Sequence, residues 1–459
     1  MTLSLHRSNR PDQGIESAYA WTRLMITLAA VTIGNAGMYA ASVVLPSIQA
    51  DFGVDRSGAS LPYAMTMLGF GIGGILMGRL SDRFGVFVPL VVSALSLGLG
   101  FFLAGTAESI GAFNLMHGVF IGLLGSSATF APLVADASLW FTRRRGIAVA
   151  VCMSGNYLAG VVWPPVMQHF VGEAGWRPTY IGIGLFCVAT LLPLAVCLRR
   201  RAPSTELPLP DPARAATPAG SATHAGPPGS TGSTRPAASA SPAARAASAA
   251  PASPRGGFGT ERPLGLSPHA LLALLSIASV ACCVAMAMPQ VQIVAYCSDL
   301  GYGAASGANM LSLMLGMGII SRLASGWLSD RIGGLRTLLL GSLLQGLALW
   351  LYLFNHGLLS LYVVSALFGL FQGGIVPAYA VIVREYFPRE GTGARVGVVL
   401  MASLLGMALG GWMSGAIYDW SLSYQAAFAN GIAWNGLNAV IVIFLLLRAR
   451  PGRMLRAAA

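Results

Sequence analysis

Two copies of a charged loop motif and one arginine set in apolar sequence are the parts of this chain whose residue types and spacing could do chemistry. The motif reads G-x-x-x-D-R-x-G, as Gly78/Asp82/Arg83/Gly85 and again as Gly326/Asp330/Arg331/Gly333. An Asp at such a loop can sit against the positive N-terminal end of a neighbouring helix, worth about 0.3–2 kcal/mol, while the glycines let a tight turn form. That makes a charged latch; the plainer reading is a loop that only sets topology. The arginine is Arg322, four residues before Gly326. A permanent charge within a membrane-depth run costs several kcal/mol unless it faces a cavity or a partner. Two readings fit it: a group lining a polar site, or a side chain that snorkels about 6 Å, four residues at about 1.5 Å each, to the nearer surface.

Other polar groups at comparable depth are Asn35, Tyr39, Asn156, Tyr157, Tyr296, Gln372 and Tyr379, of which Tyr379 and Tyr296 are the better companions for Arg322. Asp136 is expected to pair with Arg83 or Arg143 and so to support the latch. His117 is read as a helix-packing residue, with proton transfer as the alternative. The sequence holds no P-loop, nucleophile elbow or H-E-x-x-H pattern. Its six cysteines show no zinc spacing and read as small buried hydrophobes. Covalent, metal-assisted and ATP-driven chemistry are therefore not indicated, no cofactor is implied, and energy has to come from gradients.

The elements that hold these residues follow from composition. Of 459 residues 55% are hydrophobic and 10% charged, against about 25% charged in an ordinary soluble domain, which excludes a water-soluble enzyme. Apolar segments of about 20 residues, the length that spans a bilayer, occur at 21–45, 58–78, 86–105, 111–139, 146–169 and 177–198. Six more follow at 268–296, 304–327, 335–354, 358–384, 395–417 and 424–447. Between the two sets runs an Ala/Pro/Ser/Gly stretch that cannot bury enough apolar surface to order itself. The expected organisation is a tail (1–20), a six-helix bundle (21–198), a disordered linker (199–266), a second bundle (267–447) and a tail (448–459). "GRLSDRFG" (78–85) and "GWLSDRIG" (326–333) agree at six of eight positions, each after the second span of its half, so the halves are an internal duplication. At the repeat position of Arg322, 248 residues earlier, stands Gly74, and the duplication does not itself require the base.

All 28 basic residues are Arg. Twenty-five fall in the tails, the linker and alternate loops, Arg23 among them; Arg56 and Arg177 fall on the other side, and Arg322 within a span. The bias makes the 25 cytoplasmic, with both termini and the linker. Bases spread over membrane-flanking loops meet lipid headgroups and exclude nucleic acid as a partner.

The doubled loop motif resembles that of the major facilitator superfamily. "WFTRRRGIAVAVCMSGNYLAG" (140–160), "GWRPTYIGIG" (175–184), "VQIVAYCSDLG" (291–301) and "FGLFQGGIVPAYAVIVREYFPREGTGARVG" (368–397) are similar to its monocarboxylate-transporter branch, including bacterial oxalate/formate-antiporter relatives. The resemblance implies an all-α membrane protein with 12 transmembrane helices in two pseudo-symmetric six-helix bundles, working by alternating access. It implies that Asp82 faces the start of the eleventh span and Asp330 that of the fifth, closing the cytoplasmic side in one state. Arg322 matches the position that binds the substrate carboxylate, with Tyr379, Tyr296, Gln292, Asn35 and Tyr39 as candidate neighbours. Two departures stand out: Gly318 where mammalian relatives often carry an acid, and Gln292 where bacterial relatives often carry His. Both are credited with proton handling, which moves the expectation from simple proton symport toward anion exchange.

The sequence reading is thus a secondary transporter, not an enzyme, moving a small organic anion, a monocarboxylate, with protons or a counter-anion as coupling partner. It is expected to be monomeric, in a bacterial inner membrane. The alternatives are an exporter of amphipathic compounds, whose fifth-span G-x-x-x-G-P signature is absent, and a non-transporting membrane sensor.

Overall fold

Hydrocarbon offers no partner for a backbone N–H or C=O, so a spanning chain must satisfy them internally. In the computed structural model every regular element among the described residues, 16–141, 143–201, 263–354, 357–388 and 391–449, is accordingly helical. The tail up to residue 15, linker residues 202–262, Arg389 and the tail from 450 lie outside the described residues. Twelve helices among the described residues are long and apolar enough to cross a membrane. They are α1 (Ala18–Val43), α2 (Arg56–Phe84), α3 (Phe87–Gly105), α4 (Ile110–Ala137), α5 (Gly146–Ala174), α6 (Trp176–Cys197), α7 (Pro268–Asp299), α8 (Ala304–Ile332), α9 (Gly334–Leu353), α10 (Leu358–Tyr386), α11 (Thr392–Ser421) and α12 (Tyr424–Arg448). Ser17, Asp55 and Ser267 cap α1, α2 and α7 through their side-chain oxygens. The usual distribution of side chains is inverted: Leu185 is 68% and Val440 62% exposed, while Arg23 is 2% exposed, as a lipid-facing perimeter requires.

The duplication is carried by the backbone. Both ends of α2 recur 248 positions later as the ends of α8. In the fourth span of each half the regular α-helix is interrupted at one repeat position: α4 contains a π-helical stretch, Met116–Ser126, and α10 breaks at Gly373 and Gly374. Glycine permits close contact at both places. A Cβ on Gly69 or Gly73 of α2 would lie 2.1 Å from a carbonyl oxygen of α4, and one on Gly369 or Gly373 of α10 would lie 1.9 or 2.2 Å from one of α8.

The two halves meet along α2–α11 and α5–α8, and their contacts run out toward one end. Gly415 lies on the backbone of Arg56, Gly411 on the ring of Tyr63, and Gly71 on Met401 and Leu404. Farther along the same pair of helices, Gly78, Gly393 and Gly397 have open space where a side chain would be. The α5–α8 seam behaves alike: Ser312 bonds the Val161 carbonyl, Gly160 meets Leu315 and Gly318 meets Tyr157, but Gly326 and Gly146 face open space. The interior is therefore a cleft, closed at the end bearing Arg56 and open at the end bearing the two loop motifs.

Arg23, counted with the loop arginines in the sequence, lies inside α1 instead. Its guanidinium donates to Asp136 Oδ2 of α4 at 2.9 and 3.1 Å and lies 4.8 Å from the centroid of the Trp140 ring. Asp136 is thus committed to Arg23 and not to Arg83 or Arg143, both of which are exposed. The partner came from the facing helix, which loop proximity in sequence does not reveal. Removing one member of such a pair strands a buried charge and costs about 3–5 kcal/mol, whereas an apolar replacement of both is often neutral. Asp136→Ala should accordingly lower the thermal unfolding midpoint of the detergent-purified protein sharply, and Arg23→Met/Asp136→Leu should recover most of the loss.

Candidate functional site

Arg322 lies ten residues from the motif end of α8, at the level where the α5–α8 seam opens. Its guanidinium carbon stands 4.3 Å from the centroid of the Tyr157 ring of α5, in the other half. A cation over an aromatic face gains about 0.5–1 kcal/mol when exposed and about 2 when desolvated. No carboxylate pairs with Arg322 among the described residues, and its buried Nε has no hydrogen-bond partner there. An aromatic face leaves the in-plane N–H groups of the guanidinium free, so the side chain is held in orientation while its donors stay available to an anion.

Gly318 explains how the ring comes to be there. A Cβ at this position would lie 2.4 Å from Tyr157 Cε1. Where the resemblance has an acid, this chain has the empty volume that the ring fills. At the residue next to Tyr157 on α5, the Tyr39 hydroxyl of α1 donates to the Asn156 carbonyl oxygen at 3.1 Å and to its Oδ1 at 3.3 Å. Arg322, Tyr157, Tyr39 and Asn156 therefore form one polar patch drawn from α8, α5 and α1.

The remaining sequence candidates lie elsewhere. Tyr379 is fully buried and donates to Asn438 Oδ1 at 2.8 Å, within a network in which Asn438 and Asn435 donate to Ser342. Tyr296 packs on Tyr424 and Phe428, three residues from the Arg56 end of α7. Gln292 bridges the halves on the closed side, its Nε2 donating to Ser60 and Ser414. Asn35 is buried at the break between Ala18–Gly34 and Ala36–Val43, where its Nδ2 donates to the Val31 carbonyl and its Oδ1 has no partner among the described residues. His117 has both ring nitrogens engaged, with Thr66 at 3.0 Å and Tyr180 at 3.2 Å, and packs on Phe113. That arrangement is the one expected of a packing residue.

The loop motifs lie at the open end. Gly85 and Gly333 adopt φ +75° and +85°, a conformation that favours glycine, and their N–H groups close on the Ser81 and Ser329 carbonyls. Asp82 and Asp330 are exposed and make no hydrogen bond or ion pair among the described residues. Arg83 lies over Phe84, and Arg331 over Trp327 at 3.9 Å. The latch that these acids were expected to form is open in this conformation. Sequence reasoning gave no role to the charged cluster that closes the other end, Arg56 with Asp299 and Asp419. The signal was present in two acids on the side of the membrane that holds only two arginines.

If Gly318 exists to admit the Tyr157 ring, Gly318→Ala should destabilise the purified protein by about 1–3 kcal/mol, the usual cost of overpacking. Combining it with Tyr157→Ala should cost less than the sum of the single changes, a non-additivity readable from thermal unfolding of the four proteins of the cycle.

The sequence pattern of the Major Facilitator Superfamily matches residues 27–334 and, overlapping them, 273–458. Monocarboxylate transporter 13 of Bos taurus is 26% identical over 374 residues, 81% of this chain and 75% of its own length. The uncharacterized MFS-type transporter YcxA of Bacillus subtilis (strain 168) is 24% identical over 404 residues, 87% of this chain and 88% of its own. Among solved structures, a bacterial homolog of the human lysosomal transporter Spinster, in an inward-facing and occupied conformation, superposes with a TM-score of 0.62 at 14% identity. The superposition covers 95% of this chain and 97% of that one.

Proposed function

The chain belongs to the Major Facilitator Superfamily, and from that premise we propose that it moves a small organic anion, a monocarboxylate, across the membrane, with Arg322 as the counter-charge. The observation that carries this reading is the Arg322 guanidinium, unpaired by any acid among the described residues and held on the Tyr157 ring in the wall of the cleft. A carboxylate is the natural complement of that fork, and Tyr39 and Asn156 supply further hydrogen-bonding groups beside it. Substrate is bound and released unchanged.

The bias of arginines to the motif end makes that end cytoplasmic, with both termini and the linker, in a bacterial inner membrane. The conformation described is then inward-open. Alternating access follows from rocking the 21–198 bundle against the 267–447 bundle; in the outward-open state Asp82 and Asp330 would engage the starts of α11 and α5. With a glycine at 318 and Gln292 tied up on the closed side, no acid among the described residues adjoins Arg322 to carry a coupling proton. Exchange of one anion for another fits this arrangement better than proton symport. The working unit is a single chain in lipid.

In proteoliposomes, labelled monocarboxylate should exchange against unlabelled monocarboxylate inside. Arg322→Gln should abolish this, and Arg322→Lys, which keeps the charge but loses the planar fork, should weaken apparent affinity about tenfold or more. Unchanged affinity in Arg322→Gln would remove the assignment.

A further inference from the structure

The repeat makes the closed end of the molecule an internal comparison. Asp51 and Asp299 stand 248 positions apart, as do Trp176 and Tyr424, the first residues of α6 and α12. In each half the Asp accepts a hydrogen bond from that aromatic: Trp176 Nε1 donates to Asp51 Oδ2 at 3.2 Å, and the Tyr424 hydroxyl donates to Asp299 Oδ2. The third member differs. Asp51 takes the guanidinium of Arg177, at 2.9 and 3.1 Å, from its own half. The repeat mate of Arg177 is the uncharged Gln425, and Asp299 takes Arg56 instead, at 2.6 Å, from the first turn of α2 in the opposite half. Losing one charge at a repeat position has turned a brace within a bundle into a bridge between bundles.

A second set of contacts converges on the same residue. The backbone N–H groups of Arg56 and Ser57 donate to the two oxygens of Asp419 on α11, at 2.8 and 2.7 Å, so the positive end of α2 is docked on a carboxylate of the other half. Gly415 allows this approach, since a Cβ there would lie 2.6 Å from the Arg56 carbonyl oxygen. Arg56 is 4% exposed, and its guanidinium stands over the Tyr418 ring at 4.9 Å.

We infer that Arg56, with Asp299 and Asp419, is the latch that holds the outer end shut, and that it must break for the outer end to open, while Asp51–Arg177 rides intact within the first bundle. The bridge is charged and rests on the first two residues of α2, Arg56 and Ser57, so a neutral substitution of Arg56, Asp299 or Asp419 releases part of it. The inference depends on the geometry of the closed end and not on what Arg322 binds.

Spin labels at Glu108→Cys and Tyr302→Cys, in loops of opposite halves at this end, report its opening by electron–electron distance measurement on the full chain in lipid nanodiscs. Cys197, the exposed native cysteine, is replaced by Ser. The wild type should show mainly the short distance. Arg56→Gln and Asp419→Asn should each raise the long-distance population at least fivefold, and Asp51→Asn should leave it within twofold. Distributions for Arg56→Gln and Asp419→Asn that overlay the wild type would overturn the inference, as would a wild type already open at this end or an equal opening by Asp51→Asn. Should Arg56→Gln not fold, Asp299→Asn removes the same bridge from its other side and is read the same way. No substrate is added, so failure of the anion reading leaves this outcome untouched.

Discussion

A guanidinium cannot escape an apolar setting by giving up its proton, so every arginine drawn below the membrane surface has to be met where it stands. Three are met in three ways. Arg23 is neutralised by Asp136 across α1 and α4 within one bundle. Arg56 is neutralised by Asp299 across the two bundles. Arg322 is met, among the described residues, by an aromatic face and by no acid. The first pairing stays within a bundle, the second joins the two bundles at the closed end, and the third leaves the guanidinium without an acid among the described residues. What distinguishes the three is how completely each charge is compensated.

The architecture was legible in the sequence because hydrocarbon thickness fixes the length of each span and duplication leaves matched motifs. The twelve spans, the repeat and the turn-forming role of Gly85 and Gly333 all follow from those regularities. What could not be read is the direction in which a side chain points around its helix. Tyr379 and Tyr296 have the right depth to accompany Arg322, yet one is turned toward Asn438 and the other toward Tyr424. Asp136 was matched to arginines near it along the loops, while its partner waited on the facing helix. The absent acid at Gly318 could be seen in the sequence; the ring occupying its place could not, because Tyr157 lies 161 positions away in the other half.

Glycine governs where the bundles can move. Within each bundle, α2–α4 and α8–α10 meet backbone to backbone through Gly69, Gly73, Gly369 and Gly373, contacts that tolerate almost no separation and make each bundle stiff. Between bundles, away from the closed end where Gly415 lies on the Arg56 backbone, the glycine contacts are with side chains, such as Tyr63 on Gly411 and Met401 on Gly71, which part or slide more readily. Rigid units joined along a softer seam are what rocking requires.

The aromatic seat of Arg322 also has an electrical side. With no acid beside it among the described residues, Arg322 brings a net positive charge to the cleft, which on the proposed reading a bound monoanion would cancel. Moving one elementary charge through a membrane potential is worth about 2.3 kcal/mol per 100 mV. The loaded carrier would therefore reorient without feeling the voltage across the membrane, while the empty carrier would be drawn toward the negative face and resist returning.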